Sequence, residues 1–250
     1  MAGNVNCAYL NANWREFKAA RPVKPAIHIW QANTADLLAF ENNFYASLSP
    51  DEAAAAARFY RQADRQRYVT QHGLLRLLLK WRLQSSLEAV YTYNVNKKPY
   101  LANSEYTGQC FFNLSHSSGN LLIAIGNCEM GVDIEQVNVS FNFSDIISNY
   151  FSIPEIAFIN NAADAHRAFF LLWTRKEALL KAGGWGIDDD LPAIPALDGT
   201  HRLPAHFGNN DFVSRSFTCA NNGIASLTSA RLTSEIEFWT VAPESINGLL

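Results

Sequence analysis

The segment Met130-Gly131-Val132-Asp133-Ile134-Glu135-Gln136-Val137 sets the strongest condition on how this chain can fold. As a β-strand it places Asp133 and Glu135 on one face and Val132, Ile134 and Gln136 on the other, because successive side chains alternate. Two carboxylates roughly 7 Å apart along one face repel each other unless a cation or basic group lies between them. Oxygen ligands of this kind suit Mg²⁺, which takes one or two protein carboxylates and fills its shell with water and phosphate oxygens. A half-buried edge strand with two solvated acids satisfies the same pattern, so the strand alone leaves both readings open.

The chain has 250 residues, 48% of them hydrophobic and 17% charged, enough for a real core in one large domain or two smaller ones. A net charge of −3 argues against a general binder of nucleic acid or other polyanions. The basic residues are clustered: Arg58, Arg61, Arg65, Arg67, Arg76, Lys80 and Arg82 fall together with a single acid, Asp64. A local basic patch on a mildly acidic protein suits a small anionic ligand. Cys7, Cys110, Cys128 and Cys219 are scattered without metal-site spacing, so free thiols in a reducing cytoplasm are expected. The first twenty residues lack the basic start and apolar core of a signal peptide. The most apolar run, LLRLLLKW, is short and interrupted by charge, which excludes a membrane span there.

In chain order, residues 1–25 read as polar and irregular, and Ala26-Ile27-His28-Ile29-Trp30 as a strand. A modest helical stretch is expected from Asn33 to Asn43. Ser49-Pro50-Asp51-Glu52 is a helix start with a capping box, and helical character continues with interruptions to Gln84. Val69, Leu74, Leu77, Leu78 and Trp81 form its buried stripe, and Arg67 falls off it. Ala89–Val95 reads as a strand ending at Lys97-Lys98-Pro99, where Pro99 holds Lys98 extended and aims it away from the strand. Phe111–Gly119 is a strand running into a hydroxyl-rich turn whose donors can approach phosphate, and Leu121–Ile125 is its hairpin partner. Neighbours on a strand face opposite ways, so His116 cannot activate Ser115 and a nucleophile triad is discounted.

Residues 138–161 read as Asn-, Ser- and Phe-rich loops with a helix start at Pro154-Glu155. A strong helix is expected from Ala162 to Ala182, stopped by Gly183-Gly184. It carries Trp173, Glu177 and Lys181 along one face, and a Glu177–Lys181 pair is the plainest account of the last two. Asp188-Asp189-Asp190 reads as a solvated loop, followed by an irregular Pro-containing stretch to residue 211. Phe212–Cys219, Gly223–Ser229 and Glu235–Val241 are three closing strands, the first two joined by an Asn221-Asn222-Gly223 hairpin turn.

Three ordered motifs together are far more specific than any one. Phe112-Asn113-Leu114-Ser115-His116-Ser117, Gly131-Val132-Asp133-Ile134-Glu135 and Trp173-Thr174-Arg175-Lys176-Glu177-Ala178-Leu179-Leu180-Lys181, with Lys98-Pro99 upstream, resemble the 4′-phosphopantetheinyl transferases of the Sfp type. The resemblance covers residues 49–187. It implies an α+β fold, a monomer of two pseudo-twofold lobes with the active site between them. Along the chain these are expected as residues 1–129, 130–237 and a tail, 238–250. It also implies transfer of the phosphopantetheine arm of coenzyme A to a serine of an apo carrier protein, with release of 3′,5′-ADP. By motif, Asp133, Glu135 and Glu177 match Mg²⁺ ligands, and Glu177 the general base. Lys181, Lys98, Pro99, Ser115, His116 and Arg67, with Asp133, match the positions around the phosphates and nucleotide of CoA, and Lys181 also stabilises the leaving group. Lys98 is expected at a partly exposed site.

The chain departs from the family at Ala53–Ala57, where Lys or Arg often helps to hold CoA and where this sequence has alanines after Glu52. Two other functions fit parts of the pattern. A Mg²⁺-dependent phosphohydrolase uses the three acids but leaves Lys98, His116 and Lys181 unexplained. A catalytically silent CoA- or carrier-binding module would not need all three acids.

Overall fold

In a computed structural model, residues 2–19, 27–85, 88–186, 190–230 and 235–250 are described. The fold is mixed α and β. Strands β1 (Asn4–Tyr9), β2 (Arg15–Glu16) and β3 (Ile27–Asn33) precede helices α1 (Glu41–Ser47), α2 (Pro50–Ala57) and α3 (Gln62–Leu83). A short hairpin, β4 (Tyr91–Tyr93) and β5 (Pro99–Leu101), leads to β6 (Phe111–Ser117), β7 (Asn120–Gly126) and β8 (Met130–Gln136). Helices α4 (Ile147–Tyr150), α5 (Ile153–Asn161) and α6 (Ala165–Gly183) follow. Strands β9 (Gly199–Arg202), β10 (Phe212–Cys219), β11 (Gly223–Ser229) and β12 (Ile236–Thr240) close the chain with α7 (Pro243–Asn247).

Among the described residues these strands make two five-stranded sheets, ordered β2-β12-β3-β7-β6 and β8-β11-β10-β1-β9, plus the β4-β5 hairpin. Alternation within each strand decides what each sheet face meets. Trp30, Leu121, Ile123 and Ile125 pack with Leu74, Leu75 and Leu78 of α3. From the opposite face, Ile29, Leu122 and Ala124 meet Val132, Ile134, Phe217 and Leu227 of the second sheet. Helix α6 covers that sheet's far side, with Leu179 and Leu180 against Val5, Cys7 and Phe212, and Leu172 beside Ile224. The order of layers is helix, sheet, sheet, helix.

Residues 1–25 are not irregular throughout. Val5 and Cys7 are buried at alternate positions of β1, which pairs parallel with β10, Val5 opposite Phe212. The third closing strand leaves its neighbours, since β12 lies parallel to β3, Phe238 opposite Ile29. Each end of the chain thus completes the sheet that the other half begins. The division 1–129, 130–237 and 238–250 consequently does not follow the hydrogen bonding, because strand partners are chosen by the buried face, not by position in sequence.

Local chemistry fixes most boundaries. Ser49 and Glu52 form the expected capping box on α2, and at the start of α5 Glu155 accepts from the Ser152 amide (2.8 Å). The helix expected from Asn33 is instead a turn, a 3₁₀ segment over Leu38–Phe40, and α1. Asn221 and Asn222 both adopt left-handed backbone (φ 56° and 57°), the turn that joins β10 to β11 without splaying them. Within the stretch expected to be irregular, β9 forms an edge strand on β1. Ala26, Asp188 and Asp189 lie outside the described residues.

His28 is a core residue of β3. Its ring is 2% exposed, stacks with Trp30, and accepts a hydrogen bond at Nδ1 from Trp239 Nε1 (3.1 Å). Burial, with help from Arg82 and Arg15, pushes its pKa down to about 4, so the imidazole is a neutral core residue at neutral pH. Among the described residues no helix is long and apolar enough to cross a membrane.

Candidate active site

The two sheets meet at their edges, where β6 of one lies against β8 of the other and α6 packs over β8. Sequence explains the closeness. A Cβ on Gly131 would stand 2.3 Å from the Ala178 carbonyl oxygen and 2.3 Å from the Ala182 amide nitrogen, so only glycine lets β8 approach α6 backbone to backbone. Asn113, Ser115 and Ser117, at period two on β6, all reach toward β8. Asn113 Oδ1 accepts from the Val132 amide (2.9 Å), Ser115 Oγ donates to Asp133 Oδ1 (2.8 Å), and Ser117 Oγ donates to Glu135 Oε2 (2.6 Å). That ladder sets the register of the acidic strand against the other sheet.

From α6, Lys181 Nζ donates to Asp133 Oδ1 (2.7 Å) and to Ser115 Oγ (3.2 Å). Lys181 is therefore paired across the interface to Asp133, in place of the within-helix pair with Glu177. Asp133 is 5% exposed and Glu177 9% exposed. Burial, then the charges of Asp133 and Glu135, push Glu177 up to about 7 against the opposing pull of Lys181. Glu135 is also raised, by burial first and then by Asp133, while its bond from Ser117 opposes the rise. Asp133 Oδ2 and Glu177 Oε1 are buried without any hydrogen-bond partner. A buried anionic oxygen without a partner is costly, and the Asp133 charge acts on Glu177, so the two together suit a cation. Among the described residues no three His, Cys, Asp or Glu groups converge as a finished metal cage. Mg²⁺ does not require one, since it is commonly held by one or two carboxylates together with water and phosphate oxygens. The donor set fits a hard divalent cation.

His116 is exposed on the face of β6 opposite Ser115, as the strand period requires, and makes no pair with it. Burial, Arg67 and Lys181 lower its pKa, and Asp133 opposes them, so His116 feels the charges of the cluster and of Arg67. Arg67, on α3, is exposed and bonded to Asp64 (3.0 Å). The structure thus gathers Asp133, Glu135, Glu177, Lys181 and Ser115, with His116 and Arg67 within electrostatic reach.

Lys98 and Pro99 lie elsewhere, beside the C-terminal end of α6. Lys98 is 8% exposed, not partly exposed as expected, and its ammonium is taken by Glu129 Oε2 (2.7 Å) and the Ala182 carbonyl (2.8 Å). Pro99 begins β5, opposite Tyr93. Ahead of the alanine run, Glu52 has a structural account. Glu52, 7% exposed, accepts from the Ser49 amide and from Arg76, and contacts His72 Nδ1. Burial alone would raise its pKa, but these partners outweigh it and pull the carboxyl down to about 2. Glu52 is a structural anion tying α2 to α3.

Two members of the third motif are also structural. Lys176, fully buried, pairs with Glu155 (2.9 Å) and donates to the Leu191 carbonyl (2.9 Å). Arg175 bonds Ser216 (2.8 Å), the Ala196 carbonyl (2.7 Å) and Asp198 (2.6 Å). Sequence reasoning missed Ser117, although its place two residues after Ser115 puts it on the same strand face, and missed Asn113 for the same reason.

The sequence profile of the 4′-phosphopantetheinyl transferase superfamily matches residues 129–226, which span β8 and α6 with Asp133, Glu135, Glu177 and Lys181. The chain is 31% identical over 165 residues to the 4′-phosphopantetheinyl transferase HetI of a Nostoc species, a match covering 64% of this chain and 70% of HetI. It is 30% identical over 167 residues to the 4′-phosphopantetheinyl transferase psf-1 of Bacillus pumilus, with the same shares, 64% and 70%. With the 4′-phosphopantetheinyl transferase pptA of Paxillus involutus it shares 29% over 191 residues, 67% of this chain and 72% of that one. The acidic strand, the helix packed on its glycine and the extent of these matches agree: this chain belongs to the 4′-phosphopantetheinyl transferase superfamily.

Proposed function

We propose that the chain transfers the 4′-phosphopantetheine arm of coenzyme A to a serine of an apo carrier protein, Mg²⁺-dependent and acting as a monomer in the cytoplasm. The observation that carries this reading is the pair of partnerless buried oxygens, Asp133 Oδ2 and Glu177 Oε1, beside the Lys181 ammonium. Asp133, Glu135 and Glu177 would hold Mg²⁺, which when bound supplies charge neutralisation to the pyrophosphate. Lys181 faces the same phosphates and stabilises negative charge on the leaving oxygen. The serine Oγ bonds to the pantetheine phosphorus, the phosphoanhydride bond to the nucleotide breaks, and 3′,5′-ADP leaves. Glu177 takes the serine proton, directly or through one water. His116 and Arg67 line the open side for the nucleotide phosphates. Each sheet carries one long helix on its outer side, α3 or α6, which supports a pseudo-twofold pair of lobes. Ile153, 85% exposed, with Val139, Phe141 and Phe158, offers an apolar surface for the carrier. The four thiols are free, in keeping with a reducing compartment.

The test is incubation with fluorescent CoA, Mg²⁺ and a panel of apo carriers, across a Mg²⁺ series. Transfer to at least one carrier is expected, with Asp133→Ala partly rescued by high Mg²⁺ and Glu177→Gln not rescued. CoA cleavage without any carrier would make the protein a phosphohydrolase. CoA or carrier binding without turnover would make it a silent binding module.

A further inference from the structure

The end of helix α6 is held by a turn from the other half of the molecule. Its last four carbonyls have no partner within the helix. Lys98 Nζ donates to the Ala182 carbonyl, and the Asn94 and Asn96 side-chain amides both donate to the Gly184 carbonyl, each at 2.9 Å. The turn is built for this. Asn94 Oδ1 accepts from the Asn96 and Lys98 amides (3.0 and 2.9 Å), and Lys97 takes left-handed backbone at φ 63°. On the helix side, Gly184 has φ 69°, and a Cβ there would stand 2.6 Å from Asn94 Nδ2. Glu129, at the head of β8, accepts the remaining Lys98 bond and ties the turn to the acidic strand as well. A cation at a helix C-terminus also complements its dipole.

We infer that Asn94, Asn96 and Lys98 form a clamp that fixes the last turn of α6, and so sets Lys181 and Glu177 against Asp133. Lys98 is then a positioning residue and not a phosphate ligand. Ala182 follows Lys181 directly, so a loosened helix end moves the ammonium before it moves anything else. The inference rests on the proposed transfer for its kinetic consequence, but the clamp itself can be read without activity.

The experiment compares Lys98→Met, which keeps the aliphatic stem, with Asn96→Ala, which removes a side chain carrying no charge for a phosphate. In both, kcat for transfer should fall at least tenfold while the KM for CoA stays within threefold. Hydrogen exchange of residues 177–185, measured by mass spectrometry without substrate, should accelerate at least tenfold in both. A tenfold rise in the CoA KM confined to Lys98→Met, with kcat kept, would return Lys98 to the phosphates and overturn the clamp. Unchanged exchange in both variants would overturn it too. If the wild-type protein transfers nothing, the functional reading fails while the exchange data still decide the clamp.

Discussion

Replacing Glu177 with Gln should make the metal-free protein more stable at neutral pH while removing its activity. Burial and the Asp133 charge raise this carboxyl from its ordinary 4.5 to about 7 in the folded state. A raised acid pKa means that folding favours the protonated form. The contribution is fully present below 4.5, is lost as pH rises toward 7, and stays lost above it. A displacement of that size corresponds to about 3 kcal/mol. Gln is isosteric with the protonated acid and never pays that cost. Groups away from the cluster titrate alike in the two proteins, so the difference between their melting temperatures reports Glu177 together with the Asp133, Glu135 and Lys181 charges coupled to it. In EDTA the two should melt together near pH 4.5. By pH 8 the variant should lead by roughly 6–12 °C, taking 2–4 °C per kcal/mol for a chain of this size. Mg²⁺ at pH 8 favours the ionised carboxylate and should close most of the gap by stabilising the wild type. Transfer by the variant should fall by about 10²–10⁴-fold. A melting difference that does not change between pH 4.5 and 8 would refute the account of Glu177 as a buried acid strained by its neighbours.

Gly131→Ala should abolish transfer and cost about 1–3 kcal/mol in chemical denaturation, because the new methyl meets α6 backbone that cannot give way. Ser117→Ala should raise the Mg²⁺ concentration needed for half-maximal rate severalfold and leave the CoA KM alone, since its hydroxyl orients Glu135; a metal titration checks it. Glu155→Ala should destabilise by about 3–5 kcal/mol, read by urea melts, because it strands the fully buried Lys176 ammonium.

What was legible in the sequence was chemistry that acts over a few residues. The Ser49–Glu52 cap, the paired asparagines before Gly223 and the two-residue period that separates Ser115 from His116 all follow from local geometry. The acids of β8 and the Glu177–Lys181 face were equally visible. Partner choice across long loops was not. Lys181 stands one turn from Glu177 yet bonds Asp133, because the helix presents it to a strand that Gly131 brings close. Lys98 reads as an exposed cation beside a proline, and nothing local announces that a helix end from the other half will bury it. The strand β1 was missed because its two inward residues, Val5 and Cys7, sit among polar neighbours and acquire a sheet only from β10.

That last pairing has a consequence for how the molecule is made. On a ribosome β1 emerges long before its partner β10 is synthesised, and β3 likewise waits for β12. Until then the first sheet has an open edge at β3, flanked by the apolar row Ile27, Ile29 and Trp30, which is a template for pairing with another chain. Closing such distant strands makes folding slow relative to helical proteins of similar size. Fragments ending before Ile236 should therefore aggregate and not accumulate as a folded first half, and the protein's yield should depend on chaperones that shield a nascent edge.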